Sequence, residues 1–95
     1  MIRHIVLMAT NEASTPEAVA EVRAALATLD APGRASFTMG PDLGLRPGNF
    51  DVALVADFED EAAFLAYDAD TEHDRIRREM IAPITVRLER CQFHL

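Results

Sequence analysis

The chain has 95 residues, fewer than the roughly 100 to 150 of a common domain, which leaves room for one core and no second one. Hydrophobic residues make up 49% and charged residues 26%, the balance of a folded chain without a disordered tract. The formal charge is −7 and all nine basic residues are arginine, so a nucleic-acid partner is disfavoured and chemistry that needs lysine, from Schiff bases to phosphate-binding loops, is excluded.

Residues 2–9 alternate as a strand, with Ile2, His4, Val6 and Met8 on one face and Arg3, Ile5 and Leu7 on the other. No leader pattern of basic, apolar and small residues precedes them, and the longest apolar runs fall far short of the roughly 20 residues that span a membrane. With a single cysteine, Cys91, which cannot form an internal disulfide and is expected to be a buried thiol, a cytoplasmic protein without membrane association is expected.

Thr15-Pro16-Glu17 reads as cap, first-turn proline and first-turn acid of a helix that carries Val19, Val22, Leu26 and Leu29 and stops at residues 30–33. Residues 35–39 predict a short second strand. The following stretch, 40–49, is dense in turn formers and longer than a minimal hairpin needs. A third strand is expected over 50–58, apolar on both faces, and the acidic run Asp57 to Glu61 marks the charged start of a second helix ending at Tyr67. Thr71 and Asp74 have capping-box spacing, predicting a short helix from there to about Met80, ended by Pro83. The last strand, 84–95, places Ile84, Val86 and Leu88 in one phase and Cys91, Phe93 and Leu95 in the other, a switch that predicts a bulge.

The order β-α-β-β-α-β is that of an α+β, ferredoxin-like sheet with helices on one face. Two helices cover one face only, yet strands one and three are apolar on both. A second copy of the chain is the simplest cover, giving a homodimer with two sheets packed face to face around a barrel-like interior.

Acid–base chemistry near neutral pH has few candidates: three histidines, one tyrosine and the carboxylates. His4 shares its strand face with aliphatic residues and must find a hydrogen-bond partner or a ligand, either as a satisfied core histidine or as a catalytic one. His73 falls in the first turn of the short helix, where backbone amides disfavour its cation while Glu72 and Asp74 favour it; an exposed loop histidine is the alternative. Tyr67 lies one loop before it, as an active phenol or as a core aromatic. His94 is near the end of the last strand, and the histidines lack metal-ligand spacing, so neither metal nor cofactor is expected. Arg46 is the lone charge of its loop, able to meet an anion or simply to be solvated.

Three segments together resemble one family: residues 1–8, the stretch Gly40 to Phe58, and Tyr67 followed six residues later by His73. The chain is similar over its whole length to the stress-responsive dimeric α/β-barrel (Dabb) domains. The resemblance implies a ferredoxin-like subunit and a two-fold dimer. Plant members of the olivetolic acid cyclase kind close a poly-β-keto chain by aldol condensation without metal or cofactor, and His4, Tyr67 and His73 match functional positions there. By that resemblance His73 removes a proton alpha to a carbonyl, Tyr67 binds the enolate oxygen and His4 polarises the pocket. Val52 stands where those cyclases have a further pocket histidine. The function expected is therefore binding of a small hydrophobic or polyketide-like ligand, with cofactor-free cyclase or aldol-type lyase activity; the alternative is a non-catalytic stress-responsive binding protein.

Overall fold

The computed structural model describes residues 1–95. The order is β1 (Ile2–Thr10), α1 (Pro16–Thr28), β2 (Arg34–Pro41), β3 (Val52–Phe58), α2 (Glu61–Asp68), α3 (Thr71–Ile76) and β4 (Thr85–His94), with a π-helical turn, Arg77–Ile81, and a short 3-10 turn, Ala82–Ile84, between α3 and β4. The four strands form one antiparallel sheet in the order β2-β3-β1-β4, which is the ferredoxin-like topology expected. No helix is long and apolar enough to cross a membrane.

Local chemistry accounts for the helix starts. The Thr15 hydroxyl accepts a hydrogen bond from the Ala18 amide at 3.0 Å, and Asp60 does the same for Ala63 at 2.8 Å. Of the acidic run, therefore, Asp60 and Glu61 serve the start of α2, whereas Asp57 belongs to β3, where both its oxygens accept from Arg3, at 2.8 and 2.9 Å. The third helix starts one residue earlier than expected, because Asp70 rather than Thr71 is its cap: the Asp70 carboxylate accepts from the His73 amide at 2.9 Å. A charged acceptor displaces the hydroxyl next to it. Gly33, with φ of +84°, turns the chain from α1 into β2 so closely over α2 that a Cβ there would lie 2.6 Å from that of Ala63.

The core lies between the sheet and the helices. Strand alternation sends Ile2, Val6 and Met8 of β1, Val52, Leu54, Ala56 and Phe58 of β3, and Met39 of β2 into it, against Val22 and Leu26 of α1, Tyr67 of α2 and Ile76 of α3. The opposite face has no helix over it. It carries Ile5 and Leu7 of β1 beside Val55 and Ala53 of β3, with Cys91 opposite Ile5 and Phe93 opposite Arg3 on β4. Cys91 is thus exposed in the subunit, not buried as expected, because β4's alternation points it to the side without helices. The bulge of β4 is real but sits at its start, where Ala9 pairs with Arg87 and Thr10 with Thr85, leaving Val86 unmatched and exposed. Beyond it the alternation is unbroken: Leu88 faces the helices and Cys91 and Phe93 face away, so the apparent phase change is one of apolarity between two faces.

Candidate functional site

The three residues singled out from sequence meet at one cavity. His4 points from β1 toward the helices and is 5% exposed; His73, on the first turn of α3, is 6% exposed, and Tyr67, on the last turn of α2, 4%. His73 is therefore no loop histidine. Its ring lies 4.0 Å from that of Tyr67, centroid to centroid, inclined by 31°, and the His4 ring is 6.3 Å from Tyr67 and 4.9 Å from Phe64. Phe58 supports Tyr67 from the sheet side at 5.0 Å.

Hydrogen bonds give the two imidazoles opposite roles. His73 Nδ1 lies 2.8 Å from the Tyr67 backbone oxygen. A carbonyl can only accept, so Nδ1 carries the proton and Nε2 keeps a lone pair. At His4 the partner is the Gln92 amide on β4, directly opposite in register, with its nitrogen 2.9 Å from Nδ1. With that amide donating, Nδ1 accepts and Nε2 bears the hydrogen. Each ring thus has only Nε2 free for the cavity, one as a base and the other as a donor.

Burial keeps both rings neutral. It pushes the His4 pKa down to about 4, helped by neighbouring His73 and by Arg90, against the pull of Asp68. The His73 pKa is also lowered, mainly by burial, although the bond to the Tyr67 carbonyl opposes this. Burial raises that of the Tyr67 phenol, which stays protonated near neutral pH, while Arg34, 5.9 Å from the ring, acts the other way.

The cavity measures about 60 Å³. Its walls beyond the three residues are chiefly Val6, Met8, Leu26, Leu54, Ile81 and Leu88, and Asp68, Arg77 and Arg90 complete the lining. Arg77 is held by Asp68, to whose carboxylate it donates at 3.0 Å and to whose carbonyl at 2.7 Å. A larger hollow of about 500 Å³ lies under the β2–β3 connection, against Leu7, Leu43, Leu45 and Phe50. No histidine or tyrosine lines it, and the oxygens of its Asp42 are occupied by Gly44 and Asn49, so the groups capable of proton transfer are in the smaller space. Arg46 lines neither.

His94 stands apart, exposed at the far end of β4 and 3.9 Å from Glu61. No three histidine, cysteine or acidic side chains come together as a metal site would need. Sequence reasoning missed Gln92, which orients His4, Phe64, which packs on it, and Arg90. Phe64 lay on the apolar side of a recognised helix; Gln92 and Arg90 gave no signal beyond strand alternation.

A lone pair and an N–H presented together in apolar surroundings can take a proton from an acidic carbon or a hydroxyl while holding the oxygen on which negative charge develops. The Stress responsive A/B Barrel Domain family (Dabb) matches residues 2–90. Among solved structures, a dimeric ferredoxin-like protein of unknown function from Thermobifida fusca YX is 40% identical, with a TM-score of 0.88 over 99% of this chain and 90% of that one. A Dabb family protein from Mesorhizobium loti is 17% identical with a TM-score of 0.80, covering 99% of this chain and 95% of that one. A hydroxynitrile lyase from Passiflora edulis is 21% identical with a TM-score of 0.84, covering 99% of this chain and 92% of that one; at such identities the likeness is one of fold. Among curated proteins none matches.

Proposed function

This chain belongs to the stress-responsive A/B barrel domain family, and from that premise we propose that it is a homodimeric small-molecule-binding protein whose cavity carries out cofactor-free acid–base chemistry of the aldol or lyase type. The observation that carries the reading is the pair of neutral imidazoles with opposite hydrogen placement on one small cavity. In the aldol direction His73 Nε2 takes the proton from a carbon alpha to a carbonyl, the enolate adds to a second carbonyl carbon and the alkoxide so formed receives that proton; in the lyase direction Nε2 takes a hydroxyl proton as the carbon–carbon bond breaks and returns it to the departing carbanion. The His4 Nε2–H holds the oxyanion, and the Tyr67 phenol is the second donor. A hydroxynitrile lyase shares the fold, so the same scaffold is compatible with a lyase reaction. The apolar open face of the sheet and the dimeric relative from Thermobifida fusca support pairing sheet to sheet. The lone free thiol Cys91 fits a reducing compartment, the cytoplasm.

Size bears on the substrate. A cavity of about 60 Å³ is well under the roughly 300 Å³ at which ligand pockets usually begin, so a small carbonyl compound fits better than a whole poly-β-keto chain. The second reading is a protein that binds such a compound and performs no chemistry. Incubation with a short poly-β-ketoacyl thioester and with a small cyanohydrin separates the two. Turnover that falls about a hundredfold or more in a Tyr67→Phe, His73→Ala double variant supports catalysis; product formation equal in variant and parent removes it and leaves binding.

A further inference from the structure

The cavity lining contains one charge without a partner. Six of the nine arginines are engaged in ion pairs or hydrogen bonds with protein groups: Arg3, Arg34, Arg75, Arg77, Arg78 and Arg87. Of the other three, Arg23 and Arg46 lie on α1 and in the β2–β3 connection, away from the site, while Arg90 lines it. Its position follows from strand alternation: Arg90 pairs with Val6 on the helix-facing side of the sheet, two residues before the Gln92 that orients His4. We infer that the ligand of this cavity is a small oxo-carboxylate, its carboxylate held by the Arg90 guanidinium at the mouth and its carbonyl end inserted between His4 and His73. This rests on the acid–base reading of the site and names the substrate class for it.

Four further features point the same way. Arg90 is an exposed residue whereas His4 and His73 are buried, so the charged end of a ligand stays hydrated while its reacting end enters the buried part. A space of about 60 Å³ admits a group of about four or five non-hydrogen atoms, the size of a carbonyl and its substituents. The other cation of the lining, Arg77, is already neutralised by Asp68 and Asp74, so Arg90 alone is free to hold a carboxylate in its planar fork. In a chain of charge −7, an uncompensated cation at the entrance of an apolar hollow is also what draws an anion to that one place.

The test compares levulinate with its uncharged methyl ester, following binding by chemical-shift perturbation and, in deuterated water, exchange of the protons beside the ketone. Levulinate is expected to bind about tenfold more tightly than the ester, Arg90→Gln to abolish the difference without weakening the ester, and Arg90→Lys to restore part of it. Equal affinity for acid and ester, no binding of either, or a preference for the acid that survives in Arg90→Gln overturns the proposal. The underlying reading is scored separately. Arg90-dependent binding with exchange no faster than in His73→Ala means that the carboxylate assignment stands and catalysis fails; accelerated exchange on the ester with no preference for levulinate means the reverse.

Discussion

Gln92 decides which nitrogen His4 offers to the cavity. Its amide donates to Nδ1 and so leaves Nε2 protonated; a carboxylate in its place could only accept, would draw the hydrogen to Nδ1 and would favour the charged ring. Gln92→Glu is therefore expected to raise the His4 pKa from about 4 to above the ordinary histidine value of about 6.5, as read by NMR titration of the ring, and to lower any turnover by about tenfold. An unshifted titration would show that the amide does not set the ring's state. The depressed pKa also has a stability consequence with a defined sign. Folded His4 resists protonation and unfolded His4 does not, so its contribution is fully present above about pH 6.5 and is lost as the pH falls toward the folded value of about 4. His73 acts in the same direction. Denaturant midpoints should decline across that window and the decline should shrink in His4→Phe. At this scale the sequence pointed to His4 through strand alternation and to Tyr67 and His73 through the few titratable groups and the resemblance that their spacing carries. Gln92 was hidden, being 88 positions from its partner, where only the pairing register brings the two together.

Among the elements, α3 shows how one residue of offset alters a site. Asp70 and Thr71 are adjacent and both residue types cap helices, and sequence alone favoured the threonine through its spacing to Asp74. In the folded chain the Asp70 carboxylate holds the His73 amide and fixes the turn from which the ring reaches back to the Tyr67 carbonyl. Asp70→Ala should cost about 1 kcal/mol, lowering Tm by roughly 4–8 °C, and should disturb the His73 ring signals; Thr71→Ala should do neither. If both substitutions proved equally harmful, the cap assignment would be wrong. The strands and α1 were legible to within about two residues at each end, since proline, turn residues and alternation mark them. The π turn after α3 was not: no proline or glycine lies within Arg77–Ile81 to mark a change of winding, and the buried Ile81 reads equally well on an ordinary helix.

For the molecule as a whole, the two sides of the sheet do different things. The helix side encloses the core and the cavity; the open side presents Ile5, Leu7, Val55 and Phe93 around the Arg3–Asp57 pair. If two copies join through the open side, Val55→Arg should give a folded monomer at micromolar concentration in sedimentation equilibrium, with an unchanged far-ultraviolet spectrum, since the side chain points away from the core. A dimer that persists would place the interface elsewhere. The apolar character of both faces of the sheet was legible from two strands, whereas the cavity's small volume was not, because it depends on how α1, α3 and β4 close on one another. Strand β1 belongs to both sides, with His4 flanked in sequence by Arg3 and Ile5, which point the other way. Neighbours along this strand thus meet different surroundings: a substitution at an even-numbered position acts on the cavity side of the sheet, and one at an odd-numbered position acts on the open side. A single inserted residue ahead of His4 would exchange the two sets, carrying the imidazole out to the side without helices and an outward-facing neighbour into the cavity.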